Sequence, residues 1–230
     1  VHTGWWTRFL TTGDGGEAGS GLHWTCASWL HRHEVAAVAA DNLMVEDPDP
    51  ANGVEGTFLP MHMICLRDMG LMLGEYWDLT GLAADGVPML MICGMYQLFG
   101  NAFVTVDGTR LPGLGILDVT TQGNAKRMIG PVVLSTAYGD VVGYENHSGS
   151  TTLAPGQEPL GRVRSGMGND GVSGTEGAVR HHVVGTYLHG PVLPANPALA
   201  DALIAWAAER ATGRSFDPGD IDDTLAEQAR

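Results

Sequence analysis

Positive charge is scarce in this sequence, and the shortage excludes a class of partners. Lysine and arginine number 12 against 26 aspartates and glutamates, a formal charge of −14 over 230 residues. Such a chain repels phosphate backbones and anionic headgroups, so no nucleic-acid or membrane-surface partner is expected. Small molecules or another protein fit better. No apolar run approaches the roughly 18 residues of a bilayer-spanning helix, and the N-terminus lacks a basic segment followed by an apolar one. A soluble, unexported, cytoplasmic chain without stable membrane insertion is the expectation. Cysteine is equally sparse. Cys26, Cys65 and Cys93 are too few and too scattered for a disulfide framework or a zinc site with paired spacing. Each is then either a small core residue, the commoner fate of a lone cysteine, or a nucleophile. Metal-binding spacings of the HExxH kind are missing, and His31 and His33, two apart, diverge on a helix, so no metal site is expected. Gly13-Asp14-Gly15-Gly16 lacks the Gly-Lys-Ser/Thr ending of a phosphate loop and reads as a turn or substrate-side loop. The glycine-rich residues 161–177 contain no GxGxxG after a clear strand.

What the sequence does have is core-forming material, with 44% hydrophobic residues, enough for one large domain over 1–212 followed by an acidic tail at 213–230. Val87-Pro88-Met89-Leu90-Met91-Ile92 is a short continuous apolar run that suits a strand buried in a parallel sheet. After it comes Cys93, and then Gly94-Met95-Tyr96-Gln97-Leu98-Phe99, whose apolar spacing suits a packed helix. Upstream, 24–33 reads as a helix, 34–38 as a strand, 41–56 as loop, 57–59 as a strand end and 66–82 as helical. Downstream, short β-like runs follow at 131–134, 140–144, 178–179 and 182–188. Asn196 before Pro197 predicts the N-cap of a helix over 198–209, which Gly213 can end. The expected class is α/β, a mostly parallel sheet with helices on both faces and a β-rich C-terminal half.

Ligands of such sheets gather at the carboxyl ends of the strands, where Cys93 would stand. A thiol at a helix start feels the positive end of the peptide dipoles, which favours thiolate. Gly94 leaves room for a substrate carbonyl, and amides there can hold an oxyanion. A cysteine nucleophile needs a base, usually histidine. Among nine histidines, His189 ends the strand-like run Val183-Val184-Gly185-Thr186-Tyr187-Leu188 and precedes Gly190-Pro191. His181 and His182 fall at the other end of that run and read as surface residues. His147 is the alternative base, or a polar loop histidine that only hydrogen-bonds; His62 is not readily placed.

Met91-Ile92-Cys93-Gly94-Met95-Tyr96-Gln97-Leu98-Phe99-Gly100, Leu111-Pro112-Gly113-Leu114-Gly115-Ile116-Leu117-Asp118, Gly143-Tyr144-Glu145-Asn146-His147-Ser148-Gly149 and Gly185-Thr186-Tyr187-Leu188-His189-Gly190-Pro191 together resemble the cobyric-acid-synthase-type class I glutamine amidotransferases. Gly168-Asn169-Asp170-Gly171 and Gly174-Thr175-Glu176-Gly177-Ala178 are similar to the glutaminase subunits of lipid II isoglutaminyl synthases within that group. The resemblance is dense from about residue 86 to residue 206. It implies a flavodoxin-like fold and a glutaminase that hydrolyses L-glutamine and supplies ammonia to a Mur-ligase-like, MurT-type synthetase subunit in a heterodimer. That partner would amidate the D-glutamate of lipid II, a step of peptidoglycan synthesis. No cofactor is implied on this chain; ATP and Mg belong to the partner. Cys93 and His189 match the family's nucleophile and base, and Arg127 matches an arginine that holds glutamine, a fork suited to a carboxylate.

Three departures accompany the resemblance. Class I relatives usually carry an acid two residues after the histidine, where this chain has Pro191, so a Cys–His dyad is implied. Met95 stands where the usual elbow has glycine. Thr57-Phe58-Leu59-Pro60-Met61-His62 replaces a glycine-rich oxyanion loop, and proline has no N–H to donate. Two further readings follow: a corrinoid-type amidotransferase glutaminase, or a non-catalytic partner-binding module that has lost its oxyanion loop.

Overall fold

A computed structural model describes residues 3–4, 8, 11–13, 21–35, 37–41, 44–47, 49–57, 59–75, 77–217, 219 and 221–228. Most of the Gly13-Asp14-Gly15-Gly16 turn, its residues 14–16, lies outside the described residues, as do Ala36 and Phe58 of two expected strand segments. The chain divides into two compact units, Val1–Leu79 and Thr80–Arg230.

The first unit holds helix α1 (Cys26–Arg32), strand β1 (Ala37–Ala39), a helical turn α2 (Pro60–His62) prolonged by a π-helical stretch (Met63–Asp68), and strand β2 (Met72–Gly74). β1 and β2 pair in parallel, Ala37 opposite Met72. Its core joins Ala27, Leu30, Val38, Val45, Met61 and Cys65. Cys65 is thus a core residue, and burial, with Glu46 nearby, pushes its thiol up. The helix expected over 66–82 is not formed. The Leu71 N–H closes the π stretch on the Cys65 carbonyl, Gly70 takes a φ of 63° open to glycine, and the chain leaves as β2. Leu59, expected to end a strand, instead sits at φ 55° directly before Pro60, which starts α2 at a position where its missing N–H costs nothing.

The second unit begins within α3 (Leu79–Ala84). Strand β3 (Met89–Ile92), Cys93 and helix α4 (Gly94–Phe99) follow as the apolar run predicts. β4 (Ala102–Val104) and β5 (Arg110–Pro112) lead to a long hairpin of β6 (Val119–Thr136) and β7 (Gly139–Leu153). Then come β8 (Gly161–Ser165), β9 (Thr175–Glu176), β10 (Ala178–Arg180), β11 (Val183–Thr186), β12 (Leu188–His189), α5 (Pro197–Thr212) and α6 (Thr224–Gln228). β10, β11 and β3 form one sheet, with β11 parallel to β3. A seven-stranded sheet contains β12, β7, β6, β4 and β5 in order, with β8 and β9 attached. β4 pairs parallel to β6, and the hairpin, β8 and β12 contacts are antiparallel.

The hairpin is far longer than the two short runs expected at 131–134 and 140–144. Inward-facing residues of β6 change parity along its length: 119, 121 and 123 are buried, then 128, 132 and 134. The cause is a bulge. Gly123 lies opposite Gly149 and Met128 opposite His147, so β6 advances five residues while β7 advances two. Arg127 rides on that bulge. Gly185 of β11 has no room for a Cβ, which would lie 2.2 Å from the Tyr96 ring, so glycine lets α4 pack directly on the strand.

Val132, Leu134, Val141, Leu160, Val184 and Leu199 form the second unit's core. Asn196 precedes α5 and Gly213 ends it at φ 68°, as expected, but the Asn196 side chain does not cap the helix. It accepts the Val142 N–H at 2.7 Å and donates to the Val142 and Val192 carbonyls at 2.8 and 2.6 Å. Asn196 is therefore a clamp between β7 and the approach to α5. Replacing it by Ala leaves those buried groups unpaired and should cost about 2–4 kcal/mol in urea unfolding. Asn196→Ser, which restores a cap but cannot span to Val142, should recover little of it.

Candidate active site

Cys93 occupies the single-residue turn between β3 and α4, at φ 55° and ψ −110°. For a residue with a Cβ this backbone costs on the order of 1–3 kcal/mol, and it persists because neighbours fix it. The Cys93 N–H donates to the Thr186 carbonyl of β11 at 2.8 Å, and its carbonyl accepts the Gln97 N–H at 3.1 Å. The register of the parallel pair sets Thr186 opposite Ile92. Cys93 follows the carboxyl end of β3, and His189 comes three residues past the end of β11. Both expected residues therefore arise at the carboxyl ends of neighbouring parallel strands.

The thiol is half-buried, and burial pushes it above its ordinary value. A hydrogen bond from the Gly94 N–H and the charge of Arg127 pull the other way without cancelling the burial. The thiolate expected from a helix start is thus not the resting form, and a base must remove the proton. A Cβ on Gly94 would meet nothing, so the space beside the sulfur stays open on that side.

His189 is half-buried. Its Nδ1 lies 3.1 Å from the Tyr144 carbonyl of β7. A carbonyl only accepts, so Nδ1 carries the hydrogen and the neutral ring presents its lone pair on Nε2, the atom a base needs. A main-chain oxygen thereby fixes the tautomer and orientation of the ring. A groove of about 290 Å³ opens beside His189, lined also by Val132, Tyr144 and Pro191.

Arg127 is exposed on the β6 bulge and held by one residue across the hairpin. Its Nε and Nη2 donate to the Asn146 side-chain oxygen at 3.1 and 2.7 Å, and Nη2 also reaches the Asn146 carbonyl at 3.1 Å. Asn146 was not singled out in the sequence, although its motif was. His147 is no loop residue. It is 2% exposed on β7, donates from Nδ1 to the Gly149 carbonyl at 2.8 Å, and stacks on Tyr187 with ring centroids 3.6 Å apart. Burial, followed by smaller opposing effects of the Gly149 carbonyl and Glu145, holds it below its usual range, so the ring is buried and neutral. His181 is exposed, and His182, half-buried, stacks on Trp206.

Sequence reasoning also missed two buried acids. Glu145 accepts the Met167 and Gly168 amides at 2.8 Å each. Glu176, fully buried, accepts the Tyr187 N–H at 2.6 Å and the Thr186 hydroxyl at 3.0 and 3.1 Å. Burial raises Glu176 to about 7 against these hydrogen bonds. Asn169 fastens the layer, accepting from the Tyr96 hydroxyl at 3.2 Å and exchanging two 3.0 Å bonds with Gly177. The Tyr187 hydroxyl meets Thr151 Oγ1 at 2.6 Å and Gln97 Nε2 at 3.2 Å. Gly149 lets this network close, since a Cβ there would lie 2.6 Å from Thr121 and 2.7 Å from Gln97. The only signal in the sequence was that Glu145, Asn169 and Glu176 sit inside glycine-flanked motifs.

In the first unit, Thr57, Met61 and His62 of the segment 57–62 have their amides engaged, Thr57 on the Val54 carbonyl. Met61 and His62 donate their N–H groups to Glu46 at 2.7 and 3.3 Å, and the His62 ring meets Glu46 and Glu75 at 2.8 and 2.9 Å. Among the described residues there is no group of three or more His, Cys, Asp or Glu arranged to hold a metal ion, and no helix is long and apolar enough to cross a membrane.

Arg127→Ala removes a charge that helps the thiolate, so alkylation of Cys93 by iodoacetamide at neutral pH should slow by about two- to fivefold, the size of an exposed, screened interaction. A rate equal to wild type would mean that the charge does not act on the sulfur. Glu176 makes a separate prediction. Its carboxyl binds a proton more tightly folded than unfolded, so its contribution to stability is present below about pH 4.5 and is lost as pH rises through about 7. Urea midpoints measured from pH 4.5 to 7.5 should therefore fall less steeply in Glu176→Gln than in wild type.

Comparison with known proteins identifies the family. Residues 75–197 match the CobB/CobQ-like glutamine amidotransferase domain. The chain is 44% identical over 147 residues to the protein named lipid II isoglutaminyl synthase (glutamine-hydrolyzing) subunit GatD of Staphylococcus aureus, covering 64% of this chain and 59% of the relative. It is 36% identical over 147 residues to the protein of the same name from Streptococcus pneumoniae, covering 63% and 56%. Cobyric acid synthase of Sphingopyxis alaskensis is 32% identical over 176 residues, covering 73% of this chain and 34% of the relative. This chain thus spans less than two thirds of the length of these relatives. With the family match extending over more than half of the chain, it belongs to the CobB/CobQ-like glutamine amidotransferase family.

Proposed function

We propose that this chain is the glutaminase subunit of a cytoplasmic amidotransferase, with Cys93 as nucleophile, His189 as base and Arg127 as the anchor for the substrate's α-carboxylate. The observation that carries the proposal is the strained Cys93 turn beside a parallel strand whose continuation delivers His189 with its Nδ1 already committed to a carbonyl.

The reaction follows from those groups. His189 Nε2 takes the thiol proton as Sγ attacks the side-chain amide carbon of L-glutamine. The carbonyl oxygen gains negative charge, which the Gly94 N–H, a hydrogen-bond donor to the sulfur, can help to stabilise. His189 returns the proton to the amide nitrogen, the C–N bond breaks, and ammonia leaves a cysteinyl thioester. Water, deprotonated by His189, adds to that thioester, and glutamate departs with the thiol reformed. Arg127, steadied by Asn146, meets the substrate carboxylate with its remaining guanidinium edge.

The ammonia acceptor is proposed from likeness. The two relatives named as subunit GatD of a lipid II isoglutaminyl synthase support a partner subunit in such an enzyme; we read that partner as a Mur-ligase-like, MurT-type subunit that carries ATP and Mg and amidates D-glutamate of lipid II. The likeness to cobyric acid synthase supports a corrinoid acceptor as the second reading, at lower identity.

The test uses the full chain with a co-purified Mur-ligase-like subunit. Wild type should release ammonia from glutamine and, with ATP, amidate a lipid II substrate, while Cys93→Ala should lose at least about a thousandfold in glutamine hydrolysis. Ammonia release unchanged in Cys93→Ala would remove the nucleophile. A correctly formed complex that releases none in wild type would favour a non-catalytic module. Amidation of a corrinoid acid and not of lipid II would move the assignment to the second reading.

A further inference from the structure

Beneath the proposed catalytic pair lies a carboxylate that the mechanism does not use. Glu176 ends β9 with no exposure to solvent. Apart from the N–H of its neighbour Gly177, its hydrogen bonds come from the end of β11 and the turn that leads to β12: one oxygen accepts the Tyr187 N–H at 2.6 Å, and both accept from the Thr186 hydroxyl. The Thr186 Oγ1 in turn accepts the Leu188 N–H at 3.1 Å. One carboxylate and one hydroxyl thus fix two consecutive amides of a turn that would otherwise be held only by its flanking strands.

That turn has the proposed catalytic groups at its two ends. The carbonyl of Thr186 receives the Cys93 N–H at 2.8 Å, and Leu188 and His189 enter the pairing with Glu145 and Tyr144 of β7. Movement of the turn would shift the acceptor that holds the Cys93 backbone and the strand that carries the imidazole. Because reacting groups must be held to within a fraction of an ångström, a small rotation there is costly.

We propose that Glu176 is a positioning residue for the Cys93–His189 pair, acting as the buried lock on the turn 186–188 that joins them. The inference rests on the glutaminase reading and deepens it. The ionised form is the one that locks, since a carboxylate can accept from both the amide and the hydroxyl, whereas a proton on it takes one oxygen out of that role. The titratable groups facing it are Glu145 from β7, Tyr96 from α4 and Tyr187 from the turn itself. Glu145 raises it electrostatically, and its ionisation near 7 falls within the working range of such an enzyme. Part of the rise of kcat with pH should therefore belong to Glu176 and not to the reacting groups.

Three variants of the full chain test this: Glu176→Gln, Thr186→Val and the double variant, compared by kcat, by KM for glutamine and by pH profile. Glu176→Gln should lower kcat about tenfold, with the KM for glutamine within about twofold, because Arg127 is not tied to this turn. Its profile between pH 6 and 8 should be flatter than that of wild type. Thr186→Val removes the bridging hydroxyl while leaving the acid, and should show a similar loss. The double variant should be little worse than either single one, because both break one lock. Wild-type kcat and profile in Glu176→Gln, a loss confined to KM, or losses that multiply in the double variant would overturn the proposal. Should Glu176→Gln not fold, Thr186→Val carries the test alone, and a wild-type kcat in it is the overturning result. Failure of the glutaminase reading is distinguishable: wild type itself would then release no ammonia, and the lock would be read from Cys93 alkylation, slower in Thr186→Val if the turn holds the sulfur and unchanged if it does not.

Discussion

The parallel pairing of β3 with β11 is the constraint on which the rest depends. Gly185 fixes the register of β11: a slip of one residue would bring Val184 or Thr186 to a place where even a Cβ would lie 2.2 Å from the Tyr96 ring. That register places the Thr186 carbonyl where it captures the Cys93 N–H, and the captured amide holds the thiol-bearing residue in a backbone conformation it would not choose alone. Strand pairing thus stabilises the strain at the proposed nucleophile.

Electrostatics near the sulfur run opposite to the simplest expectation. A cysteine at a helix start suggests a ready thiolate, but α4 has six residues and the sulfur is half-buried, so desolvation outweighs the Gly94 N–H and the distant, exposed Arg127. On the proposed mechanism the chemistry then has to come from proton transfer. His189, the proposed base, meets a main-chain carbonyl, which fixes its tautomer without adding a charge. Where a buried acid is present, in Glu176, it faces the turn and not the imidazole, so the molecule separates holding the geometry from moving the proton.

How much of this was legible in the sequence differs by residue. The apolar run before Cys93, the helix after it and the strand leading to His189 were readable because burial on both faces and a sharp turn leave local marks. The long hairpin was not, because its bulge reverses the inward parity halfway and destroys the alternation on which a strand reading relies. The segment 66–82 carried helical spacing, yet Gly70 and the pairing of Met72–Gly74 with β1 overrode it, a tertiary effect no local pattern contains. His147 looked like a loop residue because its neighbours are polar, yet along β7 Glu145 and His147 are buried and Asn146 between them is exposed, the alternation of a strand. Asn196 was placed correctly before α5, but its side chain serves β7. Glu145 and Glu176 were invisible as core residues because an acid normally signals surface, and only the folded chain shows the amides that receive them.

The central claim is that one sulfur of three is a nucleophile served by His189. The most direct measurement is peptide mapping by mass spectrometry after exposing the full chain to a diazoketone analogue of glutamine, whose reactive carbon takes the place of the amide carbon. The account predicts a single adduct, on Cys93, forming on the order of a hundredfold more slowly in His189→Ala. Adducts on Cys26 or Cys65, or an undiminished rate on Cys93 without the imidazole, would contradict it.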